Sequence, residues 1–232
     1  HRVVVQASTA TSLMSHVGVG GISNVRGIAF IQTGAHTTAI EQQYSSPAVG
    51  FTQCSFIGGG APIKSQSRAT YNNCLLAYSA GSGLNLLAAA NVYVNASVFA
   101  YATGNQISVL DGSSLQMYGG RAVSGNTATP IYVDRSSNAY VSGVSIEGGV
   151  NSFSLGQADA TLVGCSFTGQ ATRVAFANNG GRLTISGGNI VSGATLIHAE
   201  RRASVRVSPA PTGSPTYSPA LGTVGNNEGY VS

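Results

Sequence analysis

Phe51–Phe56 reads FTQCSF, and close variants of that string return down the chain: YNNCLL from Tyr71, VNASVF from Val94, MYGGRA from Met117, VSGVSI from Val141, LVGCSF from Leu162 and ISGGNI from Ile185. The intervals between them are 20, 23, 23, 24, 21 and 23 residues. A period in the low twenties, with strand-like alternation and no helical spacing inside it, is the signature of a β-solenoid. Each repeat is one coil resting on the last.

Working outward from these strings, each coil offers three short apolar alternations. One column is read as Ile40, Ile63, Leu86, Val109, Val133, Leu155, Phe176 and Ile197. Two positions earlier stand Thr38, Ala61, Leu84, Ile107, Ile131, Phe153, Val174 and Thr195. The quoted strings supply the second strand through Phe51, Tyr71, Val94, Met117, Val141, Leu162 and Ile185. The third carries Phe56, Leu76, Phe99, Ala122, Ile146, Phe167 and Ile190. Alternate residues of a strand face one side, so these columns predict three inward faces whose rungs stack about 4.8 Å apart. The expected fold is all-β, a right-handed parallel β-helix of roughly eight or nine coils of 20–24 residues. Leu84–Ala90 (LNLLAAA) has helical propensity, but its place in the period argues for strand.

Three segments are expected: residues 1–16 as a lead-in or the end of a preceding domain, 17–208 as the solenoid, and 209–232 as a C-terminal cap or trimerisation tail. The tail holds four of the seven prolines, and proline cannot donate to a ladder, so it reads as a cover for the open end rather than another coil. Between Phe30 and Thr38 the period is stretched, which predicts a projecting loop. The chain starts at His1 rather than Met, and is read as excised from a larger protein.

Only 8% of residues are charged, and the net charge of +4 rests on ten Arg and one Lys, mostly scattered. Nucleic-acid binding needs clustered cations with interleaved aromatics, so no nucleic-acid partner is expected. No apolar run reaches 18 residues, so no membrane insertion is expected. Cys54, Cys74 and Cys165 fall in one column with Ser97, Gly120, Val144 and Gly188, a line of small residues that predicts a tight corner with reduced, buried thiols. No CxxC spacing or cluster of acidic ligands is present, and no metal or cofactor is expected.

The repeated GCSF-, NCLL- and SGVSI-type strings, the low charge and the terminal SPALGTVGNNEGY segment together resemble a phage tailspike or tail-fibre β-helix of the pectate-lyase-like superfamily. That resemblance implies a homotrimer on a virion tail, outside the cell, that adsorbs to a bacterial surface polysaccharide and often cleaves it. The Asn-Thr-Asp, Asp-Asp, Gly-His-Gly and Arg-Ile-Lys strings of pectin hydrolases are absent.

Seven acidic residues limit the chemistry. LDGSS from Leu110 and VDRSS from Val133 align at a step of 23, which would set Asp111 and Asp134 in one outward column with carboxylates about 5 Å apart, the spacing of a retaining glycosidase pair. Like charges that close would split their pKa values into an acid and a nucleophile or base. The competing reading makes each Asp the start of a turn. Arg135 would neutralise the pair or grip an acidic sugar. Tyr93 and Tyr140 share an outward column with Gln116 between them, and Tyr118 and Tyr132 lie on nearby outward positions. Such rings suit stacking on pyranose faces, strand formation or a contact between subunits. The functional expectation is therefore polysaccharide recognition, with a depolymerase and a trimeric stalk or adhesin as alternatives.

Overall fold

A computed structural model describes residues 3–7, 14–16, 24–33, 40–42, 48–60, 63–125, 127–220 and 229–232. Its strands stack in three parallel sheets, visited in the order A, B, C once per coil, with nine described strands in sheet A and ten in each of sheets B and C. The coil around Leu84 shows the plan: Leu75–Ala77 in sheet A, Leu84–Leu86 in sheet B and Asn91–Asn95 in sheet C. Each pairs in parallel with its counterpart one coil before and one coil after.

The sheet C column Phe51, Tyr71, Val94, Met117, Val141, Leu162, Ile185 is in register rung by rung, as is the sheet A column from Phe56 to Ile190. Their side chains fill the interior. Phe30 stacks on Phe56 at 5.2 Å and Phe51 on Tyr71 at 5.3 Å, while Phe51 and Phe56 meet edge to face at 5.4 Å. Parallel stacking makes residues of the same column neighbours, so Phe30, Phe51, Phe56 and Tyr71 form an aromatic cluster, while Phe99, Phe153 and Phe167 lie in later coils.

Sheet B departs from the expected columns in two places. Ile63 pairs with Leu84 and Ser65 with Leu86, because only Gln66 and Ser67 separate the sheet B and sheet C strands there, against four residues in the next coil. Thr38 and Ala61, assigned to the same face, lie outside the described residues. Further on, Ala175 and Ala177 take the inward places opposite Phe153 and Leu155, and Phe176 faces outward. Its ring packs under the Arg173 guanidinium, 4.5 Å from the ring centre, and beside His198 at 5.5 Å. An outward phenylalanine with a cation over it gains contact without entering the core.

The corner from sheet C to sheet A is two residues long. Its first residue is left-handed in every coil from Gln53 to Gly187, with Asn73, Ala96, Gly119, Gly143 and Gly164 between. Its second is the small-residue column. Ser97 there is fully buried, donating to Asn95 O at 2.9 Å and accepting from Cys74 N at 3.0 Å. The three cysteines are free and buried, and burial pushes the Cys165 thiol up.

Both ends extend the ladder beyond the expected boundaries. Val3–Ala7 pairs with Ile28–Gln32 and Met14–His16 with Ile40–Gln42, so coils begin inside the segment read as a lead-in. At the other end the expectation that proline bars the tail from the ladder is corrected. Thr212 bridges to Asn189, Thr216–Ser218 pairs with Leu196–His198, and Tyr230–Val231 pairs with Ser204–Val205. The prolines at 209, 211, 215 and 219 fall between the pairing residues, where no ladder donor is needed. The stretched loop expected before Thr38 lies outside the described residues.

Candidate functional site

The outward face of sheet C carries one continuous polar column: Thr70, Tyr93, Gln116, Tyr140, Thr161 and Thr184. Strand alternation puts these side chains in solvent because Val92, Val94, Leu115, Met117, Ala139 and Val141 between them are inward. Tyr118 stands in the next outward column and its ring meets that of Tyr140 at 5.7 Å, tilted by 45°. Gln116 ties the group together, donating from Nε2 to the Tyr93 hydroxyl at 3.3 Å and accepting the Tyr118 hydroxyl at Oε1 at 3.2 Å. Four of the expected sugar-contacting residues therefore form one patch, three of them joined by hydrogen bonds and Tyr140 by ring contact with Tyr118. Tyr118 is 42% and Tyr140 36% exposed.

The patch continues along the axis into a shallow groove of about 340 Å³ lined by Asn138, Asp159, Thr161, Arg182 and Thr184. Arg182 holds Asp159 through two bonds of 2.7 Å, which keep the Asp159 carboxyl below its usual range. The groove thus offers a rigid fork of donors and acceptors rather than a free charge.

Tyr132 is not part of this face. It lies on sheet B, in the column of Ser108 and Ser154, and donates to Asp134 Oδ2 at 2.6 Å. Burial and that bond push its phenol up to about 12. Asp134 Oδ1 accepts the backbone N–H of Arg135 and that of Gln157 in the next coil, each at 2.8 Å. Partial burial pushes the Asp134 carboxyl up, but these three donors and the Arg135 charge outweigh it and hold the group below its ordinary value.

Asp111 and Asp134 do not share a column. Val109 pairs with Val133, so the register step is 24 and Asp111 falls opposite Arg135. The likeness of LDGSS to VDRSS is displaced by one residue from the strand register. Arg135 Nη1 reaches Asp111 Oδ1 at 3.1 Å, an exposed pair. Asp111 and Gly112 are both left-handed, as are Arg135 and Ser136, so the two strings form stacked tight turns. The same register places His198 in the Tyr132 column, three coils further on.

Two features escaped the sequence reading. Tyr78 and Tyr101 stack on each other at the corner from sheet A to sheet B, and their signal, AYSAG from Ala77 against AYATG from Ala100, repeats at a step of 23. Arg121 grips Glu147 with two bonds of 2.9 and 2.7 Å on the outward face of sheet A, holding the Glu147 carboxyl low. Among the described residues no group of three or more His, Cys, Asp or Glu converges on a metal site.

A family model described as a right-handed beta helix region matches residues 27–190. Comparison with curated proteins brings no match. Comparison with solved structures brings none either.

Proposed function

The chain belongs to the right-handed β-helix family, and from that premise we propose that it is a receptor-binding domain recognising bacterial surface polysaccharide, as a phage tailspike or tail fibre does in host adsorption. The fold is compatible with polysaccharide-binding and polysaccharide-degrading proteins alike. The observation that carries the binding reading is the Tyr93–Gln116–Tyr118–Tyr140 patch. Its rings and amide are held in place before any ligand arrives, by a sheet whose inward side is fully packed, so little ordering entropy is lost on binding. Tyrosine rings offer a flat apolar face for a pyranose and a hydroxyl for its edge. In this reading the domain acts outside the cell on a virion tail as a homotrimer, and needs no cofactor.

The test is titration calorimetry against purified capsular polysaccharides and lipopolysaccharides from a bacterial panel. A binder should emerge, and Tyr118→Ala with Tyr140→Ala should weaken it by about tenfold or more, the equivalent of about 1.4 kcal/mol. Equal affinity in the double variant would remove the patch from the reading.

A depolymerase on the same scaffold is the second reading, favoured by the linkage of Tyr132, Asp134, Arg135 and Asp111 across two stacked turns. General acid catalysis needs a carboxyl with a raised pKa, and Asp134 is held the other way. Binding is therefore the stronger reading. Release of new reducing ends by the native protein, lost in Asp111→Asn with Asp134→Asn, would reverse that preference.

A further inference from the structure

Tyr78 follows Leu75–Ala77 and Tyr101 follows Val98–Ala100, each taking the first step around the corner from sheet A to sheet B. Tyr78 N donates to Ala100 O at 3.1 Å and Tyr101 N to Val123 O at 3.2 Å, so both backbones stay in the ladder. The rings lie 5.2 Å apart and within 22° of parallel. They are 62% and 58% exposed.

Three observations set this pair apart. Both tyrosines have φ of 60°, a left-handed conformation that a bulky residue with a Cβ adopts at a cost. The same step of the corner is taken by Gly58 and Gly148 in other coils, with φ of 80° and 73°. Nor does burial offset the strain, since the rings stand in solvent. Backbone strain retained at an exposed aromatic pair points to a use outside the fold.

The flanking rungs also matter. Register places Gly58 on one side of the stack and Ser124 on the other. One has no side chain and the other a small, buried one, so neither sets a large side chain of its own against the rings. A rung is about 4.8 Å deep, close to the thickness of a flat ring in contact. Beside the stack, Arg121 lies within electrostatic range of Tyr101 and is oriented by Glu147. Polar groups held at the edge of an aromatic platform suit the hydroxyl rim of a sugar.

We propose that Tyr78 and Tyr101 form a stacking platform for pyranose rings, a second sugar-binding subsite on a different side of the solenoid from the sheet C patch. The ligand class rests on the polysaccharide reading above, and the subsite extends it: one glycan chain is gripped at two separate places, or two chains at once. A narrow two-ring ledge at a corner matches a ligand one or two sugar rings wide better than it matches the broad face of a protein.

The experiment uses the whole chain and the same polysaccharide panel. Asparagine tolerates left-handed φ, so Tyr78→Asn with Tyr101→Asn removes the rings and keeps the turn. The double variant should bind the panel's best ligand about tenfold more weakly or worse, with a melting temperature equal to or above that of the native chain. The chain has no Trp, so Tyr101→Trp gives a single emission reporter, and its spectrum should shift on adding that ligand. Native affinity in the double Asn variant, with no shift in the Trp variant, would overturn the subsite and leave the sheet C reading standing. No binding of any panel member by the native chain would overturn both. A change in sedimentation of the double Asn variant with unchanged glycan affinity would assign the rings to a contact between copies and overturn the subsite.

Discussion

Gly156 is without a side chain at the place where Asp134 of the preceding coil needs the room: a Cβ at position 156 would lie 2.1 Å from Asp134 Oδ1. The turn from Gly156 to Ala158 is one residue shorter than the turn from Asp134 to Ser137 beneath it. The carboxylate fills the difference by accepting from Gln157 N. Asp134 is thus a staple between a long turn and a short one.

Coupling between those two residues is the first expectation. Gly156→Ala should destabilise the chain by about 2–3 kcal/mol, since a close contact against a hydrogen-bonded carboxylate cannot relax freely. Asp134→Ala should cost about 1–3 kcal/mol by leaving its backbone donors unpaired. In the double variant the carboxylate that clashes is gone, so the loss should fall well short of the sum. Urea unfolding of the four proteins measures this, and strictly additive losses would contradict the staple.

Tyr71 carries the opposite expectation. Its ring is fully buried between Phe51 and its neighbours, yet among the described residues its hydroxyl has no hydrogen-bond partner. Burial pushes the phenol well above its ordinary pKa. Removing an unsatisfied buried hydroxyl while keeping the ring should help, so Tyr71→Phe should raise stability by about 1 kcal/mol. A lower urea midpoint would mean that the hydroxyl is satisfied.

Acid stability follows from the carboxyls held low. Asp134, Glu147 and Asp159 all have folded-state values below their ordinary ones. A depressed carboxyl contributes stability that is present above its unfolded pKa, about 4, and lost as pH falls through the folded value. The urea midpoint should therefore hold from neutrality down to about pH 5 and then decline toward pH 2. Glu147→Gln should flatten part of that decline, because the grip of Arg121 no longer depends on proton loss. The exposed Asp159–Arg182 pair should matter least.

The sequence made legible what each coil repeats at a constant offset. Phe51, Tyr71 and Val94 announce an inward column because the two-residue corner after them never changes length. The Tyr93–Gln116–Tyr140 column follows from that same register, one residue away. Legibility fails where turns change length. Ile63 stands two residues away from its expected column at a shortened turn. The spacing from Leu155 predicts Phe176 as inward, but the turn after Ala177 is one residue longer than the turn after Leu155, and Ala175 and Ala177 hold the inward places. Asp111 was matched to Asp134 by the look of the surrounding letters, although Val109 and Val133 already required a step of 24. Tyr78 and Tyr101 stayed hidden because a strand-forming residue in a left-handed turn gives no propensity signal.

The constant pairing distance has a consequence for how such a chain folds. Asn91 lies in register with Arg68 on one side and Ser114 on the other, and Ser114 in turn with Asn138. Ladder partners are thus always about one coil apart in the chain, however many coils there are. Loop-closure entropy per rung is then the same at every step, and a longer solenoid has more rungs to close but no longer ones. Growth of the structure can proceed like the winding of thread onto a spool, each completed turn supplying the edge on which the next is laid.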